Sequence, residues 1–138
     1  MFELHPQLAE DTLRIGSFPL CEVLLMNDAR YPWIILVPRK VEVSEIYHLD
    51  KLDQQQLTVE SSLLSSRLLE LVQADKMNVA ALGNIVSQLH IHHVARFHSD
   101  ETWPAPVWGR GQSRPYLTSA ADDFVGQLTQ ALDHLLQS

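Results

Sequence analysis

Three imidazoles fall within four residues of the stretch Gln88-Leu89-His90-Ile91-His92-His93-Val94-Ala95-Arg96-Phe97, with an amide before them and a guanidinium after. Side chains on a strand alternate faces. An extended reading puts Gln88, His90, His92, Val94 and Arg96 on one face and Leu89, Ile91, His93, Ala95 and Phe97 on the other. The second face is apolar apart from His93, which reads as a satisfied core or interface histidine on a face that packs against a helix. The first face has little to offer a core, and its neighbours stand about 7 Å apart. Such a row can hold a phosphate or a metal. A neutral imidazole, with an unperturbed pKa of about 6.5, is a competent nucleophile and general base near neutrality. A second imidazole can orient the first or carry a proton, and Arg96 offers a planar donor fork suited to phosphate.

The elements that must position this row can be read from hydrophobic periodicity. Residues 13 to 38 read as β, with apolar runs at 20–26 and 33–37 joined by the polar, proline-closed Asn27-Asp28-Ala29-Arg30-Tyr31-Pro32, a hairpin with a long loop. A short helix is expected within 41–48, with Ser44 as its cap. Leu57, Leu64, Leu68 and Leu71 share one face of a long helix over 51–74, while Gln54, Gln55, Glu60, Ser61 and Arg67 take the rest of its surface. Two more strands are expected at 78–82 and 89–97, with Gly83-Asn84 at the turn. Residues 98–118 read as a loop containing Trp103-Pro104-Ala105-Pro106-Val107-Trp108, which either buries its indoles against the body or covers the site or a partner subunit. Ser119-Ala120-Ala121-Asp122 resembles a capping box, and Phe124, Leu128, Leu132 and Leu135 mark a closing helix. Strands, long helix, strands, helix in that order indicate α+β with an antiparallel sheet of about five strands.

With these elements in place, the histidine stretch resembles the signature of the histidine triad (HIT) family, His-φ-His-φ-His-φ-φ with φ apolar. Registered on Arg96, the triad reads Gln88, His90, His92. Val37-Pro38-Arg39-Lys40 resembles the end of the family's second hairpin strand, and the similarity extends over roughly residues 12 to 100. The resemblance implies a small α+β domain, usually a homodimer, that acts at the α-phosphate of nucleotides as a hydrolase or nucleotidyl transferase. It implies His90 as the nucleophile that forms a covalent nucleotidyl-histidine, with His92 in support. It also implies nucleotide-binding roles for Asn27 at the ribose, for Asn78 and Asn84 near the phosphates, and for Arg96. Gln88 stands where the family has its first histidine. It can orient a neighbour but cannot titrate at neutral pH. His93 replaces an apolar residue. Ser87 and Asn84 are candidates for a serine-like role near the leaving group.

The rest of the chain bounds these readings. Its 138 residues fit a single domain, 1–138. With Lys plus Arg at 10 and Asp plus Glu at 17, the formal charge is −7, without a basic run. That disfavours duplex nucleic acid as a partner but not a nucleotide, expected to be a purine nucleoside phosphate. No apolar run approaches a membrane span, and no secretory leader is visible. The single cysteine, Cys21, cannot form an intrachain disulfide and reads as a buried small hydrophobe. A cytoplasmic protein without a cofactor is expected. Two alternatives remain: a metal-binding protein of cupin type using Gly83, His90, His92 and Glu101, against which the long helix stands, and a non-catalytic nucleotide-binding dimer.

Overall fold

The computed structural model describes residues 1–137. The branched and apolar runs form strands β1 (Thr12–Ser17), β2 (Cys21–Met26) and β3 (Trp33–Pro38), and β4 (Lys76–Ala80) and β5 (Ile91–Arg96) follow the long helix. All pair antiparallel in the order β1-β2-β3-β5-β4. Three helices accompany them: α1 (Pro6–Asp11), α2 (Lys51–Val72) and α3 (Thr118–Ala131). The α+β architecture expected from the order of elements is the one observed, with α1 as an addition. Among the described residues no helix is long and apolar enough to cross a membrane.

The sheet is covered on both faces, which is why every residue of β3 and β5 is buried. On one face Val23, Leu25, Ile34, Leu36, Ile91 and Ala95 meet Leu57, Leu64 and Leu68 of α2 and Leu128 of α3. On the other, Leu24, Trp33, Ile35, Val37 and Val94 pack with Leu8 of α1, Val86 and Val107. The leucine stripe therefore faces the core as its spacing requires. Cys21 is completely buried on the same side, and burial pushes its thiol pKa upward.

Several local expectations are corrected. Glu60 is not on the surface of α2 but fully buried. Its carboxylate accepts the backbone N–H groups of Leu20 (2.8 Å) and Cys21 (3.0 Å) at the start of β2. The short helix after β3 is one 3₁₀ turn, Ile46–His48, capped by Glu45 rather than Ser44. No capping box forms at Ser119, because α3 begins one residue earlier and Leu117 precedes it without a side-chain cap. Gly83 does mark a turn, with φ +75, a conformation in which an L side chain is strained.

Candidate functional site

The register of β5 against β3 pairs His92 with Ile35 and His93 with Ile34, which sends the two histidines to opposite faces. His93 lies among the leucines of α2, with no exposed surface. Its Nδ1 donates to the Ile91 carbonyl at 3.1 Å, and its Nε2 accepts from the Ser61 hydroxyl at 2.7 Å. It is the satisfied core histidine that its position suggests. Burial lowers its pKa to about 4.

His90 and His92 share the other face. The strand begins at Ile91, so His90 sits just before it and leans toward His92, and the ring centroids are 4.8 Å apart rather than a full pleat repeat. Their hydrogen-bond partners set the two rings in opposite tautomers. His90 Nδ1 lies 2.7 Å from the Gln88 carbonyl, which can only accept. The proton is therefore on Nδ1, and Nε2 carries a free lone pair. His92 Nδ1 lies 3.0 Å from Trp33 Nε1, which can only donate. That nitrogen is bare, and the proton is on Nε2. A nucleophilic nitrogen thus stands beside a neutral N–H donor. Burial, then the neighbouring His90 and His93, lowers the pKa of His92 to about 3, so this ring stays uncharged across the physiological range.

Both imidazoles open onto a cavity of about 330 Å³. Leu8, Met26, Ile35, Val86 and Trp108 give it apolar walls, and Gln7, Asp11 and Asn84 add polar groups. Its volume is in the range of small-molecule sites. Two wider grooves lie elsewhere, one of about 580 Å³ beside Arg39, Lys40 and α2, the other of about 460 Å³ beside Met1, Lys40 and Gln88. Neither contains His90 or His92. Trp108 packs edge-on against both Trp33 and His92, with centroids 5.9 and 5.4 Å away. The tryptophan loop therefore supplies one wall of this cavity, through Trp108. Trp103 instead lies against the Arg96 guanidinium, 5.6 Å from its ring centroid.

Of the catalytic and nucleotide-binding residues expected from the sequence, His90, His92 and Asn84 meet at this cavity, beside Gly83 and Trp108. Gln88, Arg96, Asn78 and Asn27 are engaged elsewhere. The Gln88 side chain turns away from the imidazoles: its Oε1 accepts from His5 N at 2.9 Å and its Nε2 donates to Glu3 O at 2.8 Å. Only its backbone carbonyl orients His90. Arg96 is buried, and its guanidinium donates to Asp100 (2.9 and 3.1 Å) and to Asn78 (2.8 Å). The Asp100 carboxyl is held well below the usual carboxylate range: burial opposes this, but Arg96 and the N–H groups of Phe97, Thr102 and Trp103 outweigh it. Arg96 and Asn78 thus brace the 97–103 turn against β4. Asn27 accepts from Tyr116 N at 2.8 Å, and it is Met26 that lines the cavity. The sequence reading missed Trp33 as the group that sets His92, and it missed α1 as a wall. The β3–β5 pairing that joins Trp33 to His92 spans 59 residues and leaves no local trace.

The metal alternative lacks a ligand set: among the described residues no three His, Cys, Asp or Glu side chains are placed to hold an ion. Glu101 pairs with Arg114 at 2.8 Å.

A family model described as the HIT domain matches residues 7–99. Among solved structures, a histidine triad protein from Marinobacter aquaeolei VT8 is similar at 50% identity with a TM-score of 0.96, the match covering 98% of each chain. One from Bradyrhizobium japonicum is similar at 44% identity (TM-score 0.93, 95% of this chain and 98% of that one). One from Sinorhizobium meliloti 1021 is similar at 42% (TM-score 0.94, 96% and 98%). No curated protein matches.

Proposed function

The chain belongs to the histidine triad family, and from that premise we propose that it binds a nucleotide, expected to be a purine nucleoside phosphate, and acts at its α-phosphate as a hydrolase or nucleotidyl transferase through a covalent nucleotidyl-His90. The observation that carries this reading is the pair of opposite tautomers. His90 Nε2 has the lone pair that a nucleophile needs. The Nε2–H of His92, its ring centroid 4.8 Å from that of His90, would donate to a phosphoryl oxygen on which charge develops. The His90 nitrogen attacks phosphorus, the N–P bond forms and the leaving-group bond breaks. Water or another acceptor then takes the nucleotidyl group and restores the imidazole. The cavity's apolar walls suit a base, and Asn84 offers amide donors at its rim. Gln88 acts through its carbonyl, so the missing first histidine does not remove the nucleophile. Ester, anhydride and phosphoramidate bonds at the α-phosphate are all within this class.

The test is His90→Asn. AMP binding should stay within about tenfold, while turnover should fall at least about a thousandfold, roughly 4 kcal/mol in barrier. Mass spectrometry of a quenched wild-type reaction should place the adduct on His90. An adduct on His92, or near-full activity in the variant, sinks the covalent reading.

We propose further that the chain is one cytoplasmic domain that works as a homodimer. Ser17 and Gln137 exchange backbone hydrogen bonds beside β1. Among the described residues no strand covers the outer edge of β4, where Val79 is half exposed. An uncovered edge is a ready pairing surface. Sedimentation at micromolar concentration should give twice the chain mass, and a clean monomer rejects the dimer.

A further inference from the structure

Residues 1–5 have no regular secondary structure and lead directly into α1, which supplies Gln7, Leu8 and Asp11 to the wall of the imidazole cavity. Phe2 and Leu4 pack against the apolar cluster that contains Leu8, Trp33 and Val86. Met1, Phe2, Glu3 and His5 also border the open groove of about 460 Å³, so the segment is packed on one side only. Among the described residues, the Gln88 amide makes the only hydrogen bonds between residues 1–5 and anything beyond α1. Its Oε1 accepts the His5 N–H at 2.9 Å, and its Nε2 donates to the Glu3 carbonyl at 2.8 Å. Those two backbone groups flank Leu4, and an amide offers an acceptor and a donor side by side to meet them. The imidazole that the family has at this position could not, because its two ring nitrogens point apart. His5 then starts α1, its Nδ1 accepting the Gln7 N–H at 3.0 Å. One residue thus joins the clasped segment to the first turn of the wall.

We infer that Gln88 is a positioning residue whose amide clasps the N-terminal segment, and through it α1, as a wall of the ligand cavity that opens and closes. The inference rests on the nucleotide-binding reading and adds a moving part to it. Two hydrogen bonds near the surface make a clasp weak enough to open. Water replaces what is lost, so each contributes only about two- to tenfold to the closing equilibrium. A ligand held against Gln7, Leu8 and Asp11 stabilises the closed wall, and by linkage the closed wall stabilises the ligand. The effect belongs to binding rather than to bond making, because the Gln88 amide does not touch either imidazole of the site. Its backbone carbonyl, 2.7 Å from His90 Nδ1, keeps the nucleophile's tautomer whatever the side chain.

The experiment uses Gln88→Met, which keeps an unbranched stem and removes both hydrogen-bonding groups. Wild type and variant are compared in AMP binding, in turnover of the p-nitrophenyl ester of AMP, and in amide hydrogen exchange. The variant's Kd for AMP and its KM should rise by at least about threefold, with kcat within about twofold. Exchange at His5 in the ligand-free variant should be at least about fivefold faster, with the amides of β3 unchanged. Saturating AMP should slow exchange across residues 5–11 of wild type, an arm that needs no variant. A loss that falls mainly on kcat, an unchanged KM, or unchanged exchange at His5 overturns the clasp and leaves the nucleotide reading standing. So does AMP that binds wild type without slowing exchange in that segment. A wild type that neither binds AMP nor turns over the ester overturns the nucleotide reading, and this inference with it.

Discussion

Replacing Trp33 by Phe isolates the hydrogen bond that sets His92. The indole N–H is the donor to His92 Nδ1 at 3.0 Å, and the Trp33 side chain is almost fully buried. Without it, a buried acceptor is left unpaired, which costs about 1–3 kcal/mol. Loss of part of the indole adds a smaller packing cost, well below the roughly 3–5 kcal/mol of a full Trp→Ala truncation. Unfolding in urea should therefore show a loss of about 2–4 kcal/mol. The chemical effect is more specific. In wild type the ring is held neutral with its proton on Nε2, and its pKa is lowered to about 3 by burial and by the neighbouring His90 and His93. In Trp33→Phe, Nδ1 is free to take a proton, so the pKa should rise, while burial and the neighbouring imidazoles still hold it below the ordinary value near 6.5. The Nε2–H should also become only one of two tautomers. Turnover should fall by about two- to tenfold, at most roughly 1.4 kcal/mol in barrier. The direct assay is nitrogen NMR of histidine-labelled protein from pH 5 to 8. Wild-type His92 should show a bare Nδ1 and a protonated Nε2 throughout, and the variant should show a mixture of the two tautomers. A wild-type His92 that titrates in that window, or that carries its proton on Nδ1, refutes the reasoning.

Acid should destabilise the fold through the two buried neutral rings. Their folded pKa values, about 3 for His92 and about 4 for His93, lie below the ordinary value for the unfolded chain. The unfolded state therefore binds more protons below about pH 6.5, and stability falls as pH drops through that point. At about pH 4.5 the combined loss is on the order of 5 kcal/mol; a urea midpoint unchanged between pH 7.5 and 4.5 contradicts it. Glu60→Ala should cost about 2–5 kcal/mol, because it strands the buried N–H groups of Leu20 and Cys21. Thermal melting that matches wild type would show that water or backbone movement replaces the carboxylate.

Alternation along residues 89–97 was enough to send His93 to the helix side and His90 with His92 to the other. One buried face is compulsory, and a strand has only two. The heptad-like spacing of Leu57, Leu64 and Leu68 likewise required α2 to lie on the sheet. What these local periods could not carry is the partner of each polar side chain. Gln88 looked like an orienting group for His90, yet its amide closes on backbone 83 and 85 residues away. Arg96 looked like a phosphate fork, yet Asp100 and Asn78 occupy it, because a buried guanidinium must be paired. Glu60 read as a solvated helix residue until the start of β2 placed two N–H groups against it. A face is a property of spacing along one element and is written in the sequence. A tautomer, a neutralised charge or a capped strand depends on an atom delivered by another element, and only the pairing of β3 with β5 put Trp33 against His92.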